Sequence, residues 1–383
     1  MIDYRLTEEQ QALREMARKF ALNEMRPNAA KYDQGHEFPD EIIRKAFEAG
    51  FPTCNIPDEY GGSGLSNLDM AIMSEELAAG CLGMFTSMMA CSLATTPILL
   101  FGSAEQKRTF LVPLVREKQL AAFCLTERES GSDAGALKTK ALKCGDEYVL
   151  NGAKCFITNG GVAGLYVVFA NTAPDKGARG VSAFIVPRGT PGLIVGKTED
   201  KMGQRASNTT ELFFEDCKVP AANLLGRERF GFLIAMKTFD TTRSSVGAAG
   251  VGVARAAMEY AIGYAKTRRA FGKALANYQI TQNKIAQMAM EIQAARHLVW
   301  HAAWLADQGK PNGRESAMAK CFASDIAMNA TNEAIQIFGG YGYMRDYPVE
   351  KLMRDAKLLQ IYEGTNEIQR LVIANDVIGP VKE

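Results

Sequence analysis

Apolar and polar positions along the chain fall into three textures. In the first, Leu13, Met16 and Phe20 recur at helical spacing after Thr7, which predicts an amphipathic helix with Thr7 and Gln10 in capping-box positions. "DEYGGSGLSN" (58–67) is a glycine-rich connection, and further helical stretches cover 68–80 and 104–117. The texture changes near residue 120. "EYVLNGAKCFIT" (147–158) reads as strand, Asn-Gly turn, strand, and "LYVVFANT", "VSAFIVPR" and "TELFFEDCKV" as further short strands. Helical periodicity returns near 231. Ile280, Ile285, Met288, Ile292 and Leu298 give much of the stripe of one long helix, and "ESAMAKCFASDIAMNATNEAIQIF" is another. The expected fold is α+β and mainly α: an N-terminal helical domain (1–120), a middle β domain (121–230) and a C-terminal helical region (231–383). Strands and helices do not alternate, which argues against a Rossmann or TIM fold. "GAAGVGVARAA" (247–257) lies inside a helical pattern, so its small residues predict close helix packing, not a nucleotide loop.

Composition narrows the function classes. A chain of 383 residues with 47% apolar content and a net charge of +1 gives no reason to expect a nucleic-acid or membrane partner. No uninterrupted apolar run reaches transmembrane length. The first residues, "MIDYRLTEEQQ", lack the pattern of a secretory signal, and the expected location is cytoplasmic. None of the eight cysteines forms a C-x-x-C pair, and the three histidines are His36, His297 and His301. No metal site is expected, and scarce histidine argues against a Ser-His-Asp hydrolase.

One stretch raises a chemical question. "QIYEGTNEIQR" (360–370) interrupts good helix formers with Glu-Gly-Thr near the end of the chain. Together with "CLTERESGSD" (124–133), "FITNGG" (156–161), "RRAFGK" (268–273) with Gln279, and "IQIFGGYGY" (335–343), it closely resembles the acyl-CoA dehydrogenase family over essentially the whole chain. The resemblance implies a β-barrel-like middle domain, a C-terminal four-helix bundle, FAD between the two, and a homotetramer, a dimer of dimers in which a neighbour completes each flavin site. It also implies an acyl-CoA substrate and electrons passed to an electron-transferring flavoprotein. Glu363 matches the family's catalytic base, whose raised pKa would suit removal of a weakly acidic Cα proton. Its backbone N–H is the expected donor to the thioester oxygen, and Gly364 would let ligand and backbone approach closely. With Gly364, Tyr362, Asp240, Arg243 and Ser132 match substrate-side positions. Phe123, Leu125, Thr126, Ser132, Phe156 and Thr158 match positions lining the flavin. Arg268, Phe271 and Gln279 match residues reaching a neighbour's FAD, Gln336, Gly339 and Gly340 its adenosine side, and Thr365 and Glu367 the pyrophosphate or adenosine region.

Some branches of the family carry the base just before the arginine of "TFDTTRSSVGAAG". That position is Thr242 here, which places the chain with the short- and medium-chain, butyryl-CoA-dehydrogenase-like branch. The family's usual proline and small residue are replaced by Arg128 and Glu129, either a solvent-facing change of no consequence or a loop shifted to suit an unusual acyl group or electron partner. Met89, Cys91, Ser92 and Thr95 are candidates for the far wall of an uncharged acyl pocket, open to linear, branched or alicyclic groups. The same residues would serve an enoyl-CoA reductase running the reaction backwards. A catalytically inactive acyl-CoA-binding relative fits less well, because Glu363 and the flavin motifs are kept together.

Overall fold

The computed structural model describes residues 5–380. Six helices open it: α1 (Glu8–Phe20), α2 (Ala29–Gly35), α3 (Asp40–Glu48), α4 (Asn67–Gly80), α5 (Leu82–Phe101) and α6 (Ala104–Arg116). The capping box at Thr7 and Gln10 is present, and Ser66 and Ser103 cap α4 and α6 in the same way. The helix α5 is long and apolar enough to cross a membrane, with a mean hydropathy of 1.6, although hydroxyl side chains interrupt its apolar run. It is mostly buried, in contact with β1 (Ala121–Cys124) on one side. Its hydropathy is that of a core helix.

The middle strands are β2 (Lys140–Cys144), β3 (Glu147–Thr158), β4 (Leu165–Asn171), β5 (Val181–Pro187), β6 (Leu193–Thr198), β7 (Thr209–Pro220) and β8 (Leu224–Leu225). They form one sheet in the order β6-β7-β3-β2-β4-β5-β8, with β1 parallel to β4. The expected hairpin within 147–158 is not formed. Asn151-Gly152 makes a bulge in the continuous strand β3, which pairs with β7 on both sides of it. The side chain of Asn151 exchanges two hydrogen bonds with Asp216 of β7, and a Cβ at Gly152 would meet Thr139 at 2.6 Å. A turn signal is overridden here by a second strand that pairs across it. The two-residue turn falls instead at Gly145-Asp146, between β2 and β3.

The last third holds α7 (Gly231–Thr267), the short hairpin β9 (Arg269–Ala270) and β10 (Lys273–Ala274), then α8 (Gln279–Asp307), α9 (Gly313–Phe338), α10 (Val349–Leu359) and α11 (Asn366–Ile378). The small residues of 247–257 pack helix backbones together as expected. A Cβ at Gly252 would meet the Glu75 carbonyl of α4 at 2.2 Å, and one at Gly250 the Ala323 carbonyl of α9 at 2.8 Å. In α8, Met288 and Ile292 are buried, whereas Ile280, expected in the same stripe, stands exposed in the first turn. α7 is therefore held between α4 and α9, and this fixes the height of residues 240–245 in the interior.

Candidate active site

The stretch 360–370 breaks where it does because Glu363 is not helical. Its φ is 51° and that of Gly364 is 90°, both left-handed, and Thr365 then caps α11 by accepting from the Ile368 N–H. A carboxylate-bearing residue in that region costs on the order of 1–3 kcal/mol and persists only where its surroundings enforce it. They do so here through the backbone. The Glu363 carbonyl accepts from Gln369 Nε2 (3.2 Å) and Arg243 Nε (3.4 Å), and the Gly364 carbonyl from Gln369 Nε2 (3.0 Å) and Lys320 Nζ (2.7 Å). Gly364 is required for a reason internal to the protein: besides its φ, a Cβ would meet Gln369 Nε2 at 2.5 Å. Gly364→Ala is therefore expected to cost about 1–3 kcal/mol and to lower the thermal midpoint by several degrees, read by calorimetry.

The Glu363 side chain is buried. Thr242 Oγ1 donates to its Oε2 at 2.8 Å, while Oε1 has no protein partner. Burial pushes the carboxyl up to about 7, against the Thr242 hydroxyl and the charges of Arg243 and Lys320, which pull it down. The sequence marked Thr242 only as a position without a base; the structure makes it the hydrogen-bond partner of Glu363. Arg243, buried on α7, meets Asp240 at 3.3 Å. Tyr362 places its phenol in the interior, where burial raises its pKa, near Thr86 of α5 and Gln204. Gln369 and Lys320 were not singled out from sequence. Gln369 lies inside the motif, but nothing local says that its amide turns back on the motif's own carbonyls.

The middle-domain candidates lie on and just after β1 and along β3. The Phe123 ring lies 4.8 Å from Phe169 of β4 and 5.5 Å from Phe239 of α7, so it ties the sheet to the helix that carries Thr242. Leu125 is buried and Thr126 half-buried, with the Thr126 carbonyl accepting from the Cys155 N–H at 3.0 Å. One residue on, Phe156 sits at φ 57° in an irregularity of the β3–β7 pairing and is 64% exposed; Thr158 is half-buried. Ser132 is exposed on the loop after β1. Arg128 and Glu129 face solvent, paired loosely with Glu211 at 3.7 Å and with Lys138. The residue between Thr126 and Arg128 is the structural one. Glu127 is buried and accepts from Lys154 Nζ (2.7 Å) and from the N–H groups of Lys138 (2.6 Å) and Thr139 (3.1 Å). Burial works to raise its pKa, but the Lys154 charge and these donors hold it below the usual carboxylate range.

A second cluster lies elsewhere. Arg268, Phe271, Gln279, Gln336, Gly339 and Gly340 are all exposed, and Phe271 is 98% exposed at the tip of the β9–β10 hairpin. Arg268, Gly339, Gly340 and Tyr341 line a cavity of about 440 Å³. The structure does not bring this cluster to the first one. The 25 residues of helix from Arg243 to Arg268 span about 38 Å at 1.5 Å each. Thr365 caps a helix, and Glu367 is exposed in its first turn. A third feature, a small cavity of about 20 Å³, is lined by Met70, Met73, Met88, Met89, Ser92 and Ser245 among others. Ser245 is one turn along α7 from Thr242. Met89 and Ser92 line this cavity. Cys91 and Thr95 do not: both are fully buried, and Thr95 Oγ1 donates to the Cys91 carbonyl at 3.1 Å.

The first cluster suits an isoalloxazine. It offers an exposed aromatic face at Phe156, two half-buried hydroxyls at Thr126 and Thr158, and a buried carboxylate oxygen with no protein partner. Comparison with known proteins shows the family. Family models described as the N-terminal, middle and C-terminal domains of acyl-CoA dehydrogenase match residues 7–118, 122–217 and 229–378. An acyl-CoA dehydrogenase of Bacillus subtilis is 48% identical over 98% of this chain and 99% of its own length. An acryloyl-CoA reductase (NADH) of Anaerotignum propionicum is 49% identical over 98% of this chain and 96% of its own. Among solved structures, butyryl-CoA dehydrogenase from Megasphaera elsdenii superposes with a TM-score of 0.96 at 45% identity, covering 99% of this chain and 100% of that one. A chain from a structure described as the electron transferring flavoprotein of Acidaminococcus fermentans gives 0.97 at 47% identity, with the same coverage.

Fold and site define an FAD-dependent oxidoreductase acting on a CH–CH bond. The chain belongs to the acyl-CoA dehydrogenase family.

Proposed function

We propose that the chain interconverts a short acyl-CoA and its 2,3-enoyl-CoA, with Glu363 moving the Cα proton. The observation that carries this is the Glu363 carboxyl itself. It is buried, held in a left-handed turn, bonded at Oε2 by Thr242 and without a protein partner at Oε1. A base with a pKa near 7 is matched to proton transfer at neutral pH. FAD, when bound, supplies the acceptor for the β-hydride. Phe123, Leu125, Thr126, Ser132, Phe156 and Thr158 would hold its ring system, with Thr365 and Glu367 toward its phosphates. The Glu363 N–H, in a dry site, would polarise the thioester oxygen. Gly364 and Tyr362 would border the acyl group, and Asp240 and Arg243 the CoA side.

The small methionine-lined cavity beside Ser245 supports a short acyl chain: its volume is near that of one water, and thioethers repack readily around a small apolar group. The distance between the two clusters supports an oligomer with shared flavin sites, which the homotetramer would provide. One dinucleotide cannot span about 38 Å, so Arg268, Phe271, Gln279, Gln336, Gly339 and Gly340 would serve the FAD of a neighbouring subunit. An electron-transferring flavoprotein as redox partner is supported by the structural likeness to a chain from such a structure.

The test is anaerobic addition of acyl-CoAs from butyryl to octanoyl, with branched and cyclohexyl members, followed by flavin absorbance. Bleaching by a short saturated thioester is expected. A protein that cannot be loaded with FAD overturns the reading. Reduction as the physiological direction is a second reading, favoured by the relative named as an acryloyl-CoA reductase. It requires NADH, an electron-transferring flavoprotein and a short enoyl-CoA to turn over together.

Thr242→Val keeps the volume but removes the donor to Oε2. A hydrogen bond to a charged group is worth about 1.5–3 kcal/mol, so the acid limb of the rate of flavin reduction is expected to move up by about one pH unit or more.

A further inference from the structure

Few groups face Glu363. From α7 come the Thr242 hydroxyl and the Arg243 guanidinium, the latter tied to Asp240; from α9 comes Lys320; Tyr362 is the chain neighbour. Lys320 is the unusual one. It is fully buried, and among the described residues its Nζ meets no carboxylate. It donates to the Gly364 carbonyl at 2.7 Å and to Asn366 Oδ1 at 2.9 Å. Asn366 is locked in turn, its Nδ2 donating to Ser324 Oγ and to Asp325 Oδ1, both at 2.8 Å. The Asp325 carboxylate is already engaged by Arg370 and Gln360, each at 2.7 Å, and burial keeps the neighbouring Cys321 thiol protonated.

A buried ammonium bonded only to neutral acceptors is costly. Packing does not require it. The Gly364 carbonyl would keep Gln369, and Asn366 Oδ1 would keep Ser324 Oγ, if a methionine filled the space. What Lys320 adds is a positive charge one residue from a carboxylate that must ionise in a dry site, delivered through the carbonyl of the left-handed turn.

We propose that Lys320 is a positioning residue of the reaction, which holds the Glu363–Gly364 turn and supplies the buried charge that allows the Glu363 carboxylate to form. This rests on Glu363 being the base. Burial brings Lys320 down to about 8, and Glu363 stands near 7. The competent form, Glu363 ionised with Lys320 protonated, is most populated between these values.

The experiment uses FAD-loaded protein and the acyl-CoA that bleaches it best, with rates of flavin reduction measured from pH 6 to 9.5 by anaerobic stopped flow. The parent is expected to show a bell. Lys320→Met is expected to move the acid limb up by about one unit, to lose about fivefold in rate at pH 7, to recover much of it near pH 8.5, and to keep its FAD content and KM. Lys320→Arg, which keeps a charge, should keep the acid limb of the parent. If Lys320→Met lowers thermal stability and FAD content while the limb stays where it was, Lys320 is structural only and the proposal fails. It fails equally if Lys320→Arg shifts the limb as far as Lys320→Met does, or if Lys320→Met cannot be loaded with FAD and the parent shows no alkaline limb near 8. Retained activity in Glu363→Gln would instead sink the base assignment on its own, so the two failures are separable.

Discussion

Glu363→Gln is expected to abolish flavin reduction by a saturated acyl-CoA, with a loss of about 10²–10⁴-fold, while FAD content and thioester binding stay near those of the parent. The amide fills the same volume and can still accept from Thr242 Oγ1, so the turn at Glu363–Gly364 is retained. Single-turnover stopped flow checks the rate, and the spectral shift on adding the thioester checks binding. The same variant is expected to be more stable than the parent at alkaline pH. The folded state holds the Glu363 proton up to about 7, whereas the unfolded chain releases it near 4.5. Stability from this group is therefore fully present below about 4.5 and is lost as pH rises through 7, by on the order of 3 kcal/mol. Glutamine has nothing to lose. The thermal midpoints of parent and variant should converge near pH 5 and separate above pH 7, with the variant higher. Equal midpoints at pH 8.5 would mean that the carboxylate is solvated in the folded protein.

Lys154→Met is expected to destabilise the fold by about 3–5 kcal/mol, because it leaves the buried Glu127 carboxylate without its counter-charge. Lys154 is fully buried on β3, and its Nζ also donates to the Leu125 carbonyl at 3.0 Å. The variant therefore loosens the segment that presents Leu125 and Thr126, and FAD affinity should fall with stability. Thermal unfolding and flavin retention on gel filtration measure both. Adding Glu127→Gln should restore a good part of the loss, since the glutamine oxygen can still accept from the Lys138 or Thr139 N–H while no buried charge remains. If Lys154→Met alone is harmless, the pair is hydrated and the middle domain is held by its sheet alone.

Both predictions show why local sequence was informative to different depths. The motif around Glu363 is contiguous, so the carboxylate and the glycine beside it could be read from eleven residues, although the left-handed turn and the cap of α11 could not. The Glu127–Lys154 pair could not. Its members lie in different segments, Glu127 sits among substituted residues that drew notice for their charge, and only the sheet buries it. Arg128 and Glu129, the visible departures, point into solvent.

By itself the sequence determined the order of helical, β and helical textures, the capped start of α1, the close-packing role of the glycines in α7, and a set of motifs sufficient to place the chain in its family. These are local properties: periodicity, cap chemistry and residue size act within a few residues. Tertiary structure decided what lies across the fold. It turned an Asn-Gly signal into a bulge because β7 pairs past it, and it made Thr242 the partner of Glu363 over a separation of 121 residues. It brought Lys320 and Gln369 onto the carbonyls of the turn, and it kept the Arg268 cluster one helix length away from the Glu363 site. Such pairings depend on which faces are buried together, and burial is also what moves Glu363 toward neutrality. A carboxylate in the sequence is held near neutrality only when the fold removes its water.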